Sequence, residues 1–178
     1  MKNKSILLLA LVCFIMLPAL ASAADLPDQK PGLYVNKEYR FSVAYPESWK
    51  PGTLLPGEVL RAANTNMYSL PVITAAISDQ KKGASLDPKV FIESAKKAEP
   101  GSDGYKVVAQ EDLTLNDGTP AKVFTYEWTW SDGFTELVTG ALITIKNGKY
   151  FSSTATTIVG GETSPEKLVE MVKGWKFY

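Results

Sequence analysis

Residues 120–146, PAKVFTYEWTWSDGFTELVTGALITIK, decide the architecture. Phe124, Tyr126, Trp128 and Trp130 fall at every second position. That is the period of a β-strand, so all four rings point to one face. Ser131-Asp132-Gly133 interrupts the pattern with turn residues, and the apolar run 135–146 follows. Two strands joined by a short turn make a hairpin. Outward on one side, 105–115 meets 120–130 across Asn116-Asp117-Gly118. On the other, 135–146 meets 149–157 across Asn147-Gly148, a pair suited to a type I′ turn. The four segments read as an antiparallel meander, with 120–130 expected at the centre of its sheet.

Three more strands are expected upstream. In YRFSVAYP (39–46), Phe41, Val43 and Tyr45 alternate with Arg40, Ser42 and Ala44, and Pro46 ends the run. EVLRAA (58–63) and LPVITAAIS (70–78) follow, with Pro71 at a strand opening where its missing N–H costs little. The period then changes. Asp87 is a cap, Pro88 suits the first helical position, and Phe91, Ala95 and Ala98 recur at helical spacing. Lys96 and Lys97 favour the last turn, and Pro100-Gly101 stops it, so a helix is expected over 88–98. A second helix opens at Ser164 and Pro165, carries Leu168, Val169 and Val172 as its stripe, and stops at Gly174. Strands flanked by two separated helices indicate an α+β fold.

The chain has 178 residues, and its opening reads as a targeting segment. Lys2 and Lys4 precede an apolar run from Ile6 to Leu17, and Ala21-Ser22-Ala23 is the small-x-small pattern of a cleavage site. The run is shorter than the ~20 residues that a span needs. Cys13, the one cysteine, sits inside it, and lipidation is not expected. The expected divisions are a signal peptide at 1–23, a polar tether at 24–33 and one domain at 34–178. Cleavage after Ala23 takes 23 of the 178 residues and leaves 155, enough for a core without staples. It also takes Lys2 and Lys4, leaving 17 basic against 19 acidic residues. Such a balance lacks the basic footprint of nucleic-acid binding, and no Lys/Arg run marks a membrane surface. A periplasmic or extracellular monomer is expected, with no membrane span once the signal is removed.

NKEYRFSVAYPESWKP (36–51) resembles the opening of PsbP-like domains, whose first strand ends in an aromatic-Pro-x-x-Trp element, matched here by Tyr45, Pro46 and Trp49. The DGTPAKVFTYEW hairpin and the closing GWKFY are also similar to that family. The resemblance spans residues 34–178 and implies an α-β-α sandwich around a central antiparallel sheet. It also implies action by binding rather than by catalysis. The family includes the photosystem II extrinsic subunit, a Ran-binding nuclear import factor of the same fold, and secreted bacterial members of unknown role. Plant members help retain calcium, chloride or manganese partly through histidines and basic residues, and this chain has no histidine to carry that metal chemistry. For Trp49 the family pattern implies a plug at the sheet edge.

With no His, and no Cys after cleavage, Ser-His-Asp and Cys-His sites are excluded, as are His- or Cys-based zinc and copper sites. There is no GxxxxGK[ST] loop and no GxGxxG. Glu111 with Asp112, and Asp132 with Glu136, are the carboxylate pairs open to glycosidase work. Adjacent residues on a strand face opposite ways, and Asp132 is explained as a turn former. The turn loops offer too few oxygens for calcium. No catalytic residue, metal or cofactor is expected. Four rings on one face would bury roughly 600–1,000 Å² at about 150–250 Å² each. Phe124 and Tyr126 are expected in the core, with Leu168, Val169 and Val172 as partners. The opposite face (Val123, Thr125, Glu127, Thr129) reads as solvent-tolerant. Trp128 and Trp130 lie near the hairpin end and, with Phe134 across the turn, are the candidate binding residues. The leading expectation is an exported non-enzymatic domain that binds or helps assemble a protein partner in the envelope. The alternative is a carrier for a small apolar or aromatic ligand.

Overall fold

The turn chemistry sets the register. Asn147 and Gly148 have φ of 51° and 72°, both positive as a type I′ turn requires. They join β8 (Glu136–Lys146) to β9 (Lys149–Ile158) with Lys146 opposite Lys149. Upstream, the Asp132 carboxylate accepts from the Phe134 and Thr135 backbone N–H groups and from the Thr135 hydroxyl. That closes the turn between β7 (Pro120–Thr129) and β8. Asp117 shapes the preceding turn by accepting from the Thr119 backbone N–H and hydroxyl. That turn joins β6 (Asp103–Thr114) to β7.

The computed structural model describes residues 26–64, 70–81 and 83–178, so the export segment expected at 1–23 lies outside the described residues. Before the meander come β1 (Leu33–Asn36), β2 (Phe41–Ala44), β3 (Lys50–Pro51), β4 (Glu58–Ala63) and β5 (Val72–Asp79). The helices are α1 (Pro88–Ala98) and α2 (Pro165–Lys173), followed by β10 (Trp175–Phe177). Both helices start as the sequence reads. Asp87 accepts from the Lys89 N–H and Ser164 from the Lys167 N–H, and a proline follows each cap. Gln29 donates to the Leu33 carbonyl and accepts from the Val35 N–H, so it holds β1 from the side.

Seven strands form one antiparallel sheet in the order β3-β4-β5-β9-β8-β7-β6. The meander is as expected, but β7 lies next to one edge and β9 is central. The correction has a topological cause: β5 pairs with β9, so the earlier strands extend the sheet beyond the end of the meander. Two register shifts interrupt β6 against β7, between Asp103 and Lys106 and between Val107 and Ala109. A second, three-stranded sheet has the order β1-β2-β10.

Strand alternation sends side chains to two apolar clusters. Val123, Val138, Leu142, Phe151 and Ala155 meet Leu168 and Val172 of α2 in the larger one. The small sheet joins it through Phe41, Trp175 and Phe177, with Phe41 stacked on Trp175 at 4.2 Å between ring centroids. Trp49 is buried here. Gly140 lets α2 approach: a Cβ at this position would lie 3.0 Å from the Leu168 carbonyl carbon. Val123 and Thr125 are buried, which corrects the solvent-tolerant reading of their strand face. The reason is that α2, entering after β9, packs on β7, β8 and β9 there. Asn116 locks β10 from the hairpin side, donating to the Phe177 carbonyl at 2.6 Å and accepting its N–H at 3.0 Å. Among the described residues no helix is long and apolar enough to cross a membrane.

Candidate functional site

The other strand face carries the aromatic stripe and belongs to α1. Phe124, Tyr126, Trp128, Leu137, Ala141 and Ile143 cluster with Ile92 and Phe91 of that helix. Phe91 meets Phe124 edge-on at 5.4 Å and Tyr126 at 6.2 Å. Leu168 and Val172, expected as the partners of Phe124 and Tyr126, belong to the opposite cluster. Register is the cause. Phe124 faces Ala141 across the ladder, whereas Gly140, which admits α2, faces Thr125. A one-residue step reverses the face.

Cover thins along the strand. Exposure runs from 1% at Phe124 through 5% at Tyr126 and 8% at Trp128 to 40% at Trp130. Tyr105 inserts from β6 and completes a row of five stacked rings. The contacts are Phe124–Tyr126 at 5.9 Å, Tyr126–Tyr105 at 6.1 Å, Tyr105–Trp128 at 5.5 Å and Trp128–Trp130 at 5.6 Å. The row starts under α1 and ends in solvent. Trp128 donates its indole N–H to Thr139 at 3.0 Å, and the Thr139 hydroxyl shares a hydrogen bond with Thr156. Trp128 is therefore fixed from below, as a buried indole requires.

Beside the row lies a groove of about 820 Å³. Phe91, Ala95 and Ala98 of α1 line it together with Leu55 and Pro56, and Thr74, Thr154 and Thr156 lie among its polar lining. Thr74 and Thr154 are hydrogen-bonded at 2.8 Å. Arg61 lies in the groove but is held by Glu58 through two contacts of 2.9 and 2.6 Å. Glu99 and Asp132 border it near Trp130. Of the three sequence candidates, Trp128 and Trp130 come together at this groove, while Phe134 is 89% exposed and does not line it. Tyr105 and Glu99 were not singled out from the sequence. Tyr105 could have been found only from the β6–β7 register, which a bulge obscures.

The titratable groups around the groove follow their burial and their hydrogen bonds. Burial pushes the Tyr126 phenol well above its ordinary range, opposed by a hydrogen bond with Thr139. Tyr105 is also raised, first by burial, with Glu99 adding to it. Burial pushes Tyr150, packed against the same cluster, up to about 12. The Thr135 hydroxyl, with the Thr135 and Phe134 N–H groups, holds Asp132 below the usual carboxylate range. Asp79, Glu93, Asp117 and Glu166 are likewise shifted down. A glycosidase acid needs a carboxyl shifted up. Of the other carboxylates considered for that work, Glu111 is ion-paired with Lys173 and Asp112 with Lys122. Among the described residues no group of three His, Cys, Asp or Glu is placed to hold a metal ion.

A mixed antiparallel α+β fold with an aromatic groove at one strand end is the class that these features define. The fold is PsbP-like. It is similar to the solution structure of cyanobacterial PsbP (CyanoP) from Synechocystis sp. PCC 6803, with a TM-score of 0.62 and 16% identity over 89% of this chain and 99% of that one. A crystal structure of a protein from Bacteroides thetaiotaomicron matches with a TM-score of 0.50 and 14% identity, over 84% of this chain and 49% of the other. This chain thus spans about half of that protein's length. No protein-family model matches the chain, and no curated protein matches it.

Proposed function

We propose that the chain is an exported, non-enzymatic binding domain, an α-β-α sandwich of the PsbP-like kind. It holds a protein partner of the cell envelope through the groove at the end of the aromatic row. One observation carries this reading. The ring row leaves the core and ends on Trp130, which is 40% exposed at the groove. A tryptophan held by its neighbour and still partly exposed resembles the anchors that dominate protein interfaces. A non-enzymatic role is supported by the absence of His, which leaves no His-based nucleophilic site. The PsbP-like fold agrees with it. Export rests on the sequence of residues 1–23, and N-terminal sequencing of the exported form should begin at Ala24.

Capture from a periplasmic extract tests the groove. The wild-type domain should retain a partner that Trp130→Ala loses, while the variant keeps its fold. Equal recovery by both proteins would remove the groove from the function. A carrier role is the second reading, favoured by the volume of about 820 Å³. That lies within the ~300–1,000 Å³ of small-molecule sites. Native mass spectrometry of protein purified from its own cells would show an added small mass under that reading.

A further inference from the structure

We infer that the groove beside Trp130 recognises an arginine side chain on the partner, stacked on the exposed surface of that indole and drawn in by Glu99 and Asp132. The inference rests on the protein-binding reading and adds the chemistry of the anchor.

The first observation is the end of the ring row. Trp130 meets Trp128 at 5.6 Å with 28° between planes, and no other ring among the described residues contacts it. The residue is nevertheless 40% exposed, which leaves ring surface for a further partner. An aromatic face carries negative potential and attracts cations, most strongly at tryptophan. The same row already accepts one: Lys96 Nζ lies 5.7 Å from the centre of the Tyr105 ring.

Charge is the second, independent observation. Four charged residues line the groove: Glu58, Arg61, Glu99 and Asp132. Glu58 and Arg61 neutralise each other in a bidentate pair, 13% and 16% exposed. Glu99 has no ion pair among the described residues, and Asp132 hydrogen-bonds only within its own turn. Two negative charges therefore remain. Glu99 is also the C-cap of α1, where the helix dipole adds negative potential. The cations closest in sequence are Lys96, held by Glu93 at 2.8 Å, and Lys97 in the same last turn. Neither lines the groove.

Arginine fits this set better than lysine. Its planar guanidinium stacks on an aromatic face and still offers in-plane donors to carboxylates, whereas an ammonium is a hydrated point charge. Its methylene stem can lie along apolar groove surface such as Leu70 and Ala98 while the head stays near water.

The test uses two synthetic peptides that differ in charge alone. Acetyl-Ala-Leu-Arg-Leu-Arg-Ala-amide is compared with the same peptide carrying citrulline, the neutral isostere, at both arginine positions. Binding is followed by tryptophan fluorescence and calorimetry at low salt. The arginine peptide should bind about five-fold tighter, the size expected of one exposed cation–π contact. Glu99→Gln and Asp132→Asn should each reduce that preference; the second keeps a side-chain carbonyl for the turn. Added salt should reduce it as well. Equal affinity of the two peptides would overturn the arginine inference and leave the groove reading standing. Binding of neither peptide at millimolar concentration would overturn it too, and the capture experiment with Trp130→Ala would then judge the groove reading separately.

Discussion

Replacing Gly140 with alanine should destabilise the protein, against the usual trend for such a change. Gly140 lies in β8, a strand with neighbours on both sides, and its φ is not in the left-handed region. Alanine can therefore adopt the backbone. At such a site the substitution ordinarily stabilises by ~0.4–1 kcal/mol, because the unfolded chain has less freedom to lose. Here the new methyl would sit 3.0 Å from the Leu168 carbonyl carbon, 3.1 Å from its Cβ and 3.1 Å from the Val169 nitrogen. Ordinary contact begins near 3.4 Å, so the deficit is a few tenths of an ångström against helix backbone. No side-chain rotation relieves it. α2 must shift away, and Leu168 and Val172, both fully buried, shift with it. Overpacking of this kind costs ~1–3 kcal/mol. The net loss should be about 1–2 kcal/mol, or about 2–8 °C in Tm for a domain of this size. Thermal melts followed by circular dichroism would measure it. A Tm equal to or above wild type would refute the claim that α2 docks on Gly140.

Other outcomes follow from the two faces of the sheet. Phe124→Ala should cost ~3–5 kcal/mol by emptying the space under Phe91, while Trp130→Ala should cost about 1 kcal/mol, the scale of one aromatic stacking contact. Denaturant titration of both variants checks this, and equal losses would place Trp130 in the core. Asn116→Ala removes both hydrogen bonds to Phe177 and should cost ~1–3 kcal/mol. Hydrogen exchange should rise first in β10. Alkaline titration should find Tyr126 and Tyr150 protonated after exposed tyrosines have ionised, by phenolate absorbance. Because their folded values are raised, the unfolded chain loses these protons first. Their contribution to stability is therefore complete below about pH 10 and falls as pH rises above it, that of Tyr150 being lost as pH climbs through about 12. Melts at about pH 9 and about pH 11 should show the fall.

Local chemistry made much of this fold legible. Asp87-Pro88 and Ser164-Pro165 placed both helix starts, and Asn147-Gly148 placed a turn, because caps and turns are settled by neighbours in the chain. The four-ring stripe was visible for the same reason. What covers it was not. Both faces of β7 are buried, and alternation alone does not say which helix lies on which. β1 and β10 are short strands whose partners are far away in sequence, as with Trp175 against Val43, so no local period announces them. In β6 the extra residue near Val108 changes the parity of alternation. Tyr105 and Val107 pack with the stripe, while Leu113 packs with the other cluster. The groove was only half visible: Trp128 and Trp130 stood out, but Glu99 and the threonines of β5 and β9 reach it only through the fold.

The bulges in β6 also bear on how the molecule behaves in a crowd. This twelve-residue strand ends the large sheet and has a neighbour on one side only. A free edge of that length, if flat, would be a template on which another chain could add itself and fibrils could grow. Two irregularities within seven residues deny it that flatness, since each bends the strand and sharpens its twist. The straight remainder carries exposed Gln110, Glu111 and Asp112. An incoming strand would meet two adjacent carboxylates and a backbone whose donors and acceptors have lost their even spacing. The opposite border is β3, two residues long and ending in Pro51. Both borders of the sheet thus discourage strand-by-strand polymerisation.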